Sequence, residues 1–161
     1  MKLVDYISTR DTQAQPAQFT DILLGGLAAD GGLYLPTQYP QLDAETLANL
    51  REVSRSSGYA GLAAKILQLF VDDIPAAELE AMARRAYNTE KFAHEEIVPV
   101  TKLDEQFYIG HLSEGPTAAF KDMAMQLLGA LFEYELARRE TTLNILAATP
   151  GDTGSSADSA L

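Results

Sequence analysis

The stretch that most constrains the fold is residues 113–122, which read Ser-Glu-Gly-Pro-Thr-Ala-Ala-Phe-Lys-Asp. A run typical of a β-strand precedes it, and apolar side chains at helical spacing follow it. Pro116 suits the first turn of a helix, because its missing N–H would have no partner there. Gly115 lets the backbone bend or lets a ligand approach. The sequence therefore predicts a strand, a turn and a helix over residues 117–139, with Lys121 just inside the helix.

Lys121 is the residue of this stretch that could carry chemistry. An ammonium group near a helix N-terminus faces the positive end of the helix dipole, and burial would disfavour its charge further. A neutral amine is a nucleophile toward an aldehyde and can then transfer protons. Two structural alternatives stay open: a solvated surface lysine at this position, and a carboxylate at Asp122 that only complements the helix dipole.

A second stretch, residues 148–155, reads Ala-Thr-Pro-Gly-Asp-Thr-Gly-Ser. It follows an apolar run at residues 143–148, which we predict to be a buried central strand, and it precedes a helix predicted to begin at Thr153. Backbone N–H groups in such a loop can bind an anion, and the hydroxyl groups of Thr153 and Ser155 would add donors. The structural alternative is a capped turn in which Asp152 or Thr153 is the N-cap.

The first part of the chain is predicted to be mostly helical. A short strand at residues 3–7 and a docking strand at residues 33–36 frame a helix opened by Pro16. Asp43 is placed to cap one helix further along, and the stretch of residues 72–75, at Asp73 or nearby, to cap another. The periodicity of the apolar side chains predicts three such helices, at residues 44–54, 59–70 and 76–87.

The pattern changes near residues 88–96, after which we predict strands at residues 97–103 and 106–111. A fold of the α/β class follows from strands and helices that alternate in this way. We therefore divide the chain into a mostly helical domain at residues 1–93 and an incomplete α/β domain at residues 94–161.

The composition of the 161 residues disfavours several functions. A net charge of −11 argues against binding to nucleic acid or to an anionic membrane. The chain has no cysteine, so disulfides, thiolate catalysis and cysteine-based metal sites are excluded. His94 and the two glutamates after it are too close in sequence to share a helix face, and we predict no metal site. The N-terminus has no apolar signal core, and a cytoplasmic location is expected.

Three stretches together resemble one family in its own order. Residues 115–122 are similar to the lysine motif of the threonine synthases, which are fold-type-II enzymes dependent on pyridoxal phosphate. Residues 148–155 resemble the loop of that family that opens a helix and receives the substrate. Residues 6–10 and 27–36 resemble its N-terminal domain. The matches extend from end to end of the chain, yet the chain resembles only the first part of a threonine synthase.

The resemblance implies a lyase that converts O-phospho-L-homoserine and water into L-threonine and phosphate. It implies that Lys121 is the catalytic residue and holds pyridoxal 5'-phosphate covalently, with Phe120 and Asp152 also at the cofactor. The substrate-binding residues that it implies are Thr117, Thr149, Gly151, Thr153, Gly154 and Ser155.

Two positions depart from the family pattern. Threonine synthases often have serine where this chain has Pro150, which lacks both a hydroxyl group and a backbone donor. Histidine is common in the family where this chain has Glu114. At the first of these positions the chain therefore lacks the donors for one substrate contact.

In the resembling family the loop that holds the cofactor phosphate lies beyond the point matched by Leu161. We therefore expect a truncated portion of a threonine synthase that is inactive by itself. Two other functions stay open: a threonine-synthase-like phospho-lyase or dehydratase of the same fold, and a non-catalytic interaction module. The sequence does not determine an oligomeric state.

Overall fold

The computed structural model describes residues 4–11, 13, 15–149 and 151–161, and these residues form helices and two small β-ribbons. In chain order the elements are β1 (Tyr6–Ser8), α1 (Phe19–Leu23), β2 (Tyr34–Pro36), α2 (Ala44–Leu67), α3 (Ala76–Ala86), β3 (Val100–Lys102), β4 (Tyr108–Gly110), α4 (Asp122–Arg138) and α5 (Asp152–Ala160). Strand β1 pairs antiparallel with β2, and β3 pairs antiparallel with β4. Within the described residues, no helix is both long and apolar enough to cross a membrane.

The N-terminal ribbon matches the predicted docking strand, although the predicted strand start at residue 3 lies outside the described residues. Pro16 does not open a helix. Its neighbour Ala17 instead forms an isolated bridge with Tyr6 through two backbone hydrogen bonds of 2.9 and 3.0 Å. Helix α1 therefore begins only at Phe19, with Gln18 as its N-cap, and it is five residues long.

Two acidic residues attach this N-terminal segment to the helices. Asp72 Oδ2 accepts a hydrogen bond of 2.8 Å from the N–H of Val4. Asp73 Oδ2 accepts two bonds of 2.7 Å from Thr20, one from its N–H and one from its hydroxyl group. Helix α3 has Pro75 at its N-cap and no capping bond from a side chain. The N-cap therefore lies within the predicted capping stretch, at Pro75, whereas the carboxylate of Asp73 is used by a remote partner.

Helix α2 confirms two local predictions. Asp43 is its N-cap and accepts a 2.8 Å hydrogen bond from the N–H of Thr46. The predicted break occurs at Gly58, whose φ of 65° and ψ of −164° interrupt an otherwise continuous helix. The two halves differ in burial: Ala64 in the second half is buried, whereas Leu47 in the first half is 40% exposed.

The apolar core consists of two clusters, and α3 contributes buried residues to both. The buried members of the first are Ala60, Ala64, Ala83, Ala86, Tyr87, Phe92 and Ile97. Those of the second are Val71, Ile74, Leu79, Met82, Ala130 and Leu131. Helix α4 contributes to both, since Met123 and Leu127 pack against the first. The helices of the predicted first domain therefore share their core with α4, and the domain boundary near residue 93 stays a prediction.

The two strands predicted around residues 97–111 are present but shorter, as β3 and β4. The prediction of a buried central strand at residues 143–148 is wrong for this chain. Those residues form no strand, and every side chain from 141 to 149 is exposed, with Leu146 at 98%. A central strand is buried only between neighbouring strands and covering helices. Among the described residues β3 and β4 pair only with each other, so they supply no such neighbour.

Candidate active site

Lys121 lies at the N-terminal boundary of α4, one residue before the helix begins and not inside it as predicted. Its backbone angles are already helical, with φ −58° and ψ −27°, and its carbonyl group accepts a 2.9 Å bond from the N–H of Met125. Its side chain is exposed, and the neighbouring Phe120 is 65% exposed. The burial considered from the sequence is therefore not present in this chain. The amine is accessible to a small molecule.

Asp122 organises the turn that carries Lys121. Its side chain is fully buried, and Oδ1 accepts a 2.7 Å bond from the hydroxyl group of Thr117. Oδ2 accepts a 2.9 Å bond from the N–H of Thr117 and a longer one of 3.4 Å from the N–H of Ala119. A Cβ atom at Gly115 would lie 2.5 Å from the Cβ of Asp122, so the close approach requires glycine. Asp122 therefore does more than complement the helix dipole.

The environment of Asp122 favours its charged form. Burial by itself would raise the pKa of this carboxyl group, but hydrogen bonds from Ser156, Thr117 and the N–H of Ala119 outweigh it and lower the pKa below its ordinary value. Between the two bonded N–H groups lies Ala118, which has φ 55°, a left-handed conformation uncommon for a residue with a side chain. The carboxylate thus holds a turn that the sequence alone would disfavour.

The same turn is joined to α5. The hydroxyl oxygens of Thr117 and Ser156 are 3.0 Å apart, and Ser156 is fully buried. Helices α4 and α5 also approach so closely at Gly129 that a Cβ there would overlap the carbonyl oxygen of Ala160. The structure therefore brings together the two stretches that the sequence singled out, the turn of Lys121 and the helix that follows the glycine-rich loop.

The predicted helix after this loop is confirmed, with its start one residue earlier than expected. Gly151 is the N-cap of α5, with φ 89°, a conformation that favours glycine. No side chain of the described residues caps α5, so the alternative of a cap by Asp152 or Thr153 is wrong. Asp152 and Ser155 are exposed, and Thr153 is half-buried. The N–H groups of a first helical turn that has no side-chain cap are suited to bind an anion.

Two further residues of the predicted substrate loop, Thr149 and Gly154, lie against each other. A Cβ at Gly154 would be 3.2 Å from the methyl group of Thr149, so glycine allows this contact. Thr149 itself is exposed. The departure from the family pattern at Pro150 lies outside the described residues.

Sequence reasoning missed two fully or almost fully buried polar residues near the site, Ser156 and Gln126. Gln126 Oε1 accepts a 2.7 Å bond from Lys91 Nζ, and its Nε2 has no partner within the described part of the chain. The signal that could have found both is a polar side chain on a helix face that packs against another helix. In the ranges that the structure describes, no group of three or more His, Asp or Glu side chains could hold a metal ion.

Solved structures share this arrangement of elements. The chain superposes on the crystal structure of a PLP-bound threonine synthase from Brucella melitensis with a TM-score of 0.86 and 44% identity, covering 98% of this chain and 32% of that one. The threonine synthase from yeast gives a TM-score of 0.84 and 34% identity, covering 97% of this chain and 32% of that one. The fold is therefore that of the first part of a threonine synthase, an α/β enzyme.

The sequence comparisons agree. The family described as "Threonine synthase N terminus" matches residues 5–87, just over half of the chain. The threonine synthase of Corynebacterium glutamicum is 65% identical over 158 residues, which are 98% of this chain and 33% of that protein. That of Methylobacillus glycogenes is 50% identical over 163 residues, 97% of this chain and 33% of that protein. The chain belongs to the threonine synthase family, and it spans about a third of the length of these relatives.

Proposed function

We propose that this chain supplies the lysine-bearing part of a threonine synthase, which converts O-phospho-L-homoserine and water into L-threonine and phosphate. The observation that carries the proposal is the accessible amine of Lys121, held at the start of α4 by a turn built around buried Asp122. The 65% identity to a threonine synthase over nearly the whole chain supports the same assignment. A cytoplasmic location is also proposed, and the net charge of −11 supports the absence of nucleic-acid and membrane partners.

The residues fit pyridoxal 5'-phosphate as the cofactor. Lys121 offers an exposed primary amine on a turn whose conformation is fixed by hydrogen bonds, and it would hold the cofactor covalently. Phe120 presents an exposed aromatic ring beside it, and Asp152 is exposed at the start of α5. When bound, this cofactor withdraws electrons from the carbon atoms of an amino-acid substrate.

The residues of the chain then have separate roles. The amine of Lys121 would take a proton from the substrate Cα and return protons to neighbouring carbons, as general base and acid. The first-turn N–H groups after Gly151, with the hydroxyl groups of Thr153 and Ser155, bind the substrate carboxylate. Gly154 keeps this loop compact through its contact with Thr149.

The test is Lys121→Ala in the natural protein that contains this chain. We expect loss of the visible absorption band of lysine-bound cofactor, and a loss of turnover by many orders of magnitude, because both the covalent anchor and the proton carrier are removed. Lys65→Ala, on the exposed surface of α2, is the matched control and should change neither. Borohydride reduction followed by peptide mass analysis should place the cofactor on Lys121. A variant at Lys121 that kept the band and near-normal turnover would contradict the proposal.

Two measurements separate the alternatives. Formation of 2-oxobutyrate in place of threonine would indicate a dehydratase of the same fold. A protein that forms no visible band with pyridoxal phosphate, and no adduct after borohydride, would favour a non-catalytic interaction module.

A further inference from the structure

We propose that Thr117, Asp122 and Ser156 form a positioning network, which fixes the turn that carries Lys121 and couples it to α5. Within this network Thr117 acts by holding the turn and not by contacting the substrate. The inference rests on the proposed function, since it concerns how the chain orients the amine that receives the cofactor. It differs from the role that the family resemblance implies for Thr117.

The number of available protons decides how the network is connected. An ionised carboxylate can only accept, so the single hydroxyl proton of Thr117 lies in its 2.7 Å bond to Asp122. The Ser156 hydroxyl oxygen lies 3.0 Å from that of Thr117, and because the Thr117 proton is already used, Ser156 is the donor. Its acceptor is the Thr117 oxygen or the Asp122 carboxylate. With its proton used in this way, Thr117 has none to give to a substrate. Ser156 and Asp122 are fully buried, so water does not replace either bond at low cost.

The network also explains how an uncommon backbone conformation persists. Ala118 has φ 55°, and the N–H groups on both sides of it, those of Thr117 and Ala119, donate to the same carboxylate oxygen. The N–H of Ala118 itself donates to the carbonyl oxygen of Gly115 at 3.0 Å. A strained turn of this kind needs its surroundings to hold it. If one residue of the network is replaced, the turn should adopt other conformations, and Lys121, which follows the turn, should be less well oriented.

Ser156 connects two parts of the site, the turn that carries Lys121 and helix α5. It directly follows residues 148–155, the stretch predicted to receive the substrate, whose last four residues form the start of α5. A change in the position of α5 therefore reaches the turn of Lys121 through the hydroxyl group of Ser156. Removal of the Ser156 hydroxyl group should disturb Lys121 even when no substrate is bound.

The experiment measures attachment of pyridoxal phosphate, without any amino-acid substrate, in the natural protein that contains this chain. The variants are Thr117→Val, which keeps the shape and removes the hydroxyl group, Thr117→Ser, which restores it, and Ser156→Ala. Ser159→Ala, exposed on the same helix as Ser156, is the matched control. We expect Thr117→Val and Ser156→Ala to slow the appearance of the visible band by about five- to thirty-fold, the factor for one buried hydrogen bond. Thr117→Ser should recover most of the rate, and Ser159→Ala should match the unmodified protein.

Amide hydrogen exchange gives a second measurement that does not depend on cofactor or activity. The N–H groups of Thr117 and Ala119 should exchange faster in Ser156→Ala than in Ser159→Ala. If Thr117→Val does not fold, the comparison of the two serine variants still decides the question.

The contrary results are distinct. If Thr117→Val raises KM for the substrate while cofactor attachment and amide exchange stay unchanged, Thr117 contacts the substrate and the inference is overturned. Equal attachment rates and equal exchange in Ser156→Ala and Ser159→Ala would overturn it as well. If the unmodified protein never forms the band, the proposed function fails, and amide exchange in Ser156→Ala and Ser159→Ala then decides by itself whether the network holds the turn.

Discussion

Replacement of Gly129 by alanine tests whether the joint between α4 and α5 is as close as the structure shows. Helix propensity alone favours alanine over glycine inside a helix by about 0.8–1.0 kcal/mol. The added Cβ would overlap the carbonyl oxygen of Ala160 and lie 3.2 Å from its carbonyl carbon. These are backbone atoms, which cannot rotate away as a side chain could. Overpacking of this kind costs about 1–3 kcal/mol, and contact with backbone places the cost in the upper part of that range.

The cost of overpacking should exceed the gain in helix propensity. We therefore expect Gly129→Ala to lower the free energy of unfolding by about 1–2 kcal/mol. The assay is urea unfolding of the 161-residue chain, together with amide exchange along α5, which should become faster if α5 is pushed away from α4. Ala124→Gly, at an exposed position of α4, is the control and should destabilise by about 1 kcal/mol through propensity alone. A Gly129→Ala chain that is more stable than the parent by about 1 kcal/mol would refute the close contact.

Two further predictions concern stability. Hydrogen bonds from Arg138 lower the pKa of fully buried Glu135 in spite of its burial, with a further contribution from Arg139. Because the folded-state pKa lies below the ordinary value, this stabilisation is present above about pH 4.5 and is lost as the pH falls through the lowered value. Glu135→Gln should therefore lower the free energy of unfolding by about 1–2 kcal/mol at neutral pH, a figure reduced because the arginines are partly exposed. The difference between the variant and the parent chain should shrink when urea unfolding is measured at pH 3. Asp43→Ala removes the 2.8 Å cap to Thr46 and should cost about 1 kcal/mol, seen as fraying of α2 by circular dichroism; an unchanged helical signal would contradict this.

The sequence predicted those elements of the fold whose causes lie within a few residues. The cap at Asp43 and the break at Gly58 depend on contacts or angles of neighbouring backbone, and both are confirmed. The predictions were incomplete or wrong where the partner is remote. Asp73 is spaced like a helix cap, but its carboxylate binds Thr20, which only tertiary structure brings close. Residues 143–148 have the composition of a buried strand, but composition does not supply the neighbouring strands.

In the candidate site, too, the features with local causes were predicted from the sequence, and those that depend on remote contacts were not. The lysine turn and the glycine-rich loop were found from short stretches, because each is a local pattern around Lys121 or Gly151. The burial of Asp122 was not found, since an acidic residue in a first helical turn is commonly an exposed partner of the helix dipole. Thr117 lies within hydrogen-bond distance of both Asp122 and Ser156, and Ser156 belongs to another helix. Only these tertiary contacts show that the carboxylate of Asp122 is the centre of the turn.

Position and solvation of Lys121 are set by different parts of the molecule. Its position follows from hydrogen bonds inside the described structure, which hold the preceding turn around Asp122. The described structure does not shield the amine from water, because Lys121 and Phe120 are both exposed, as are the apolar side chains of Ile145 and Leu146. A covalent bond between an amine and an aldehyde is open to hydrolysis in water, and enzymes protect such bonds by excluding water. The chain therefore determines where the amine is placed, whereas the dry surroundings that the proposed chemistry needs depend on whatever covers these exposed apolar surfaces.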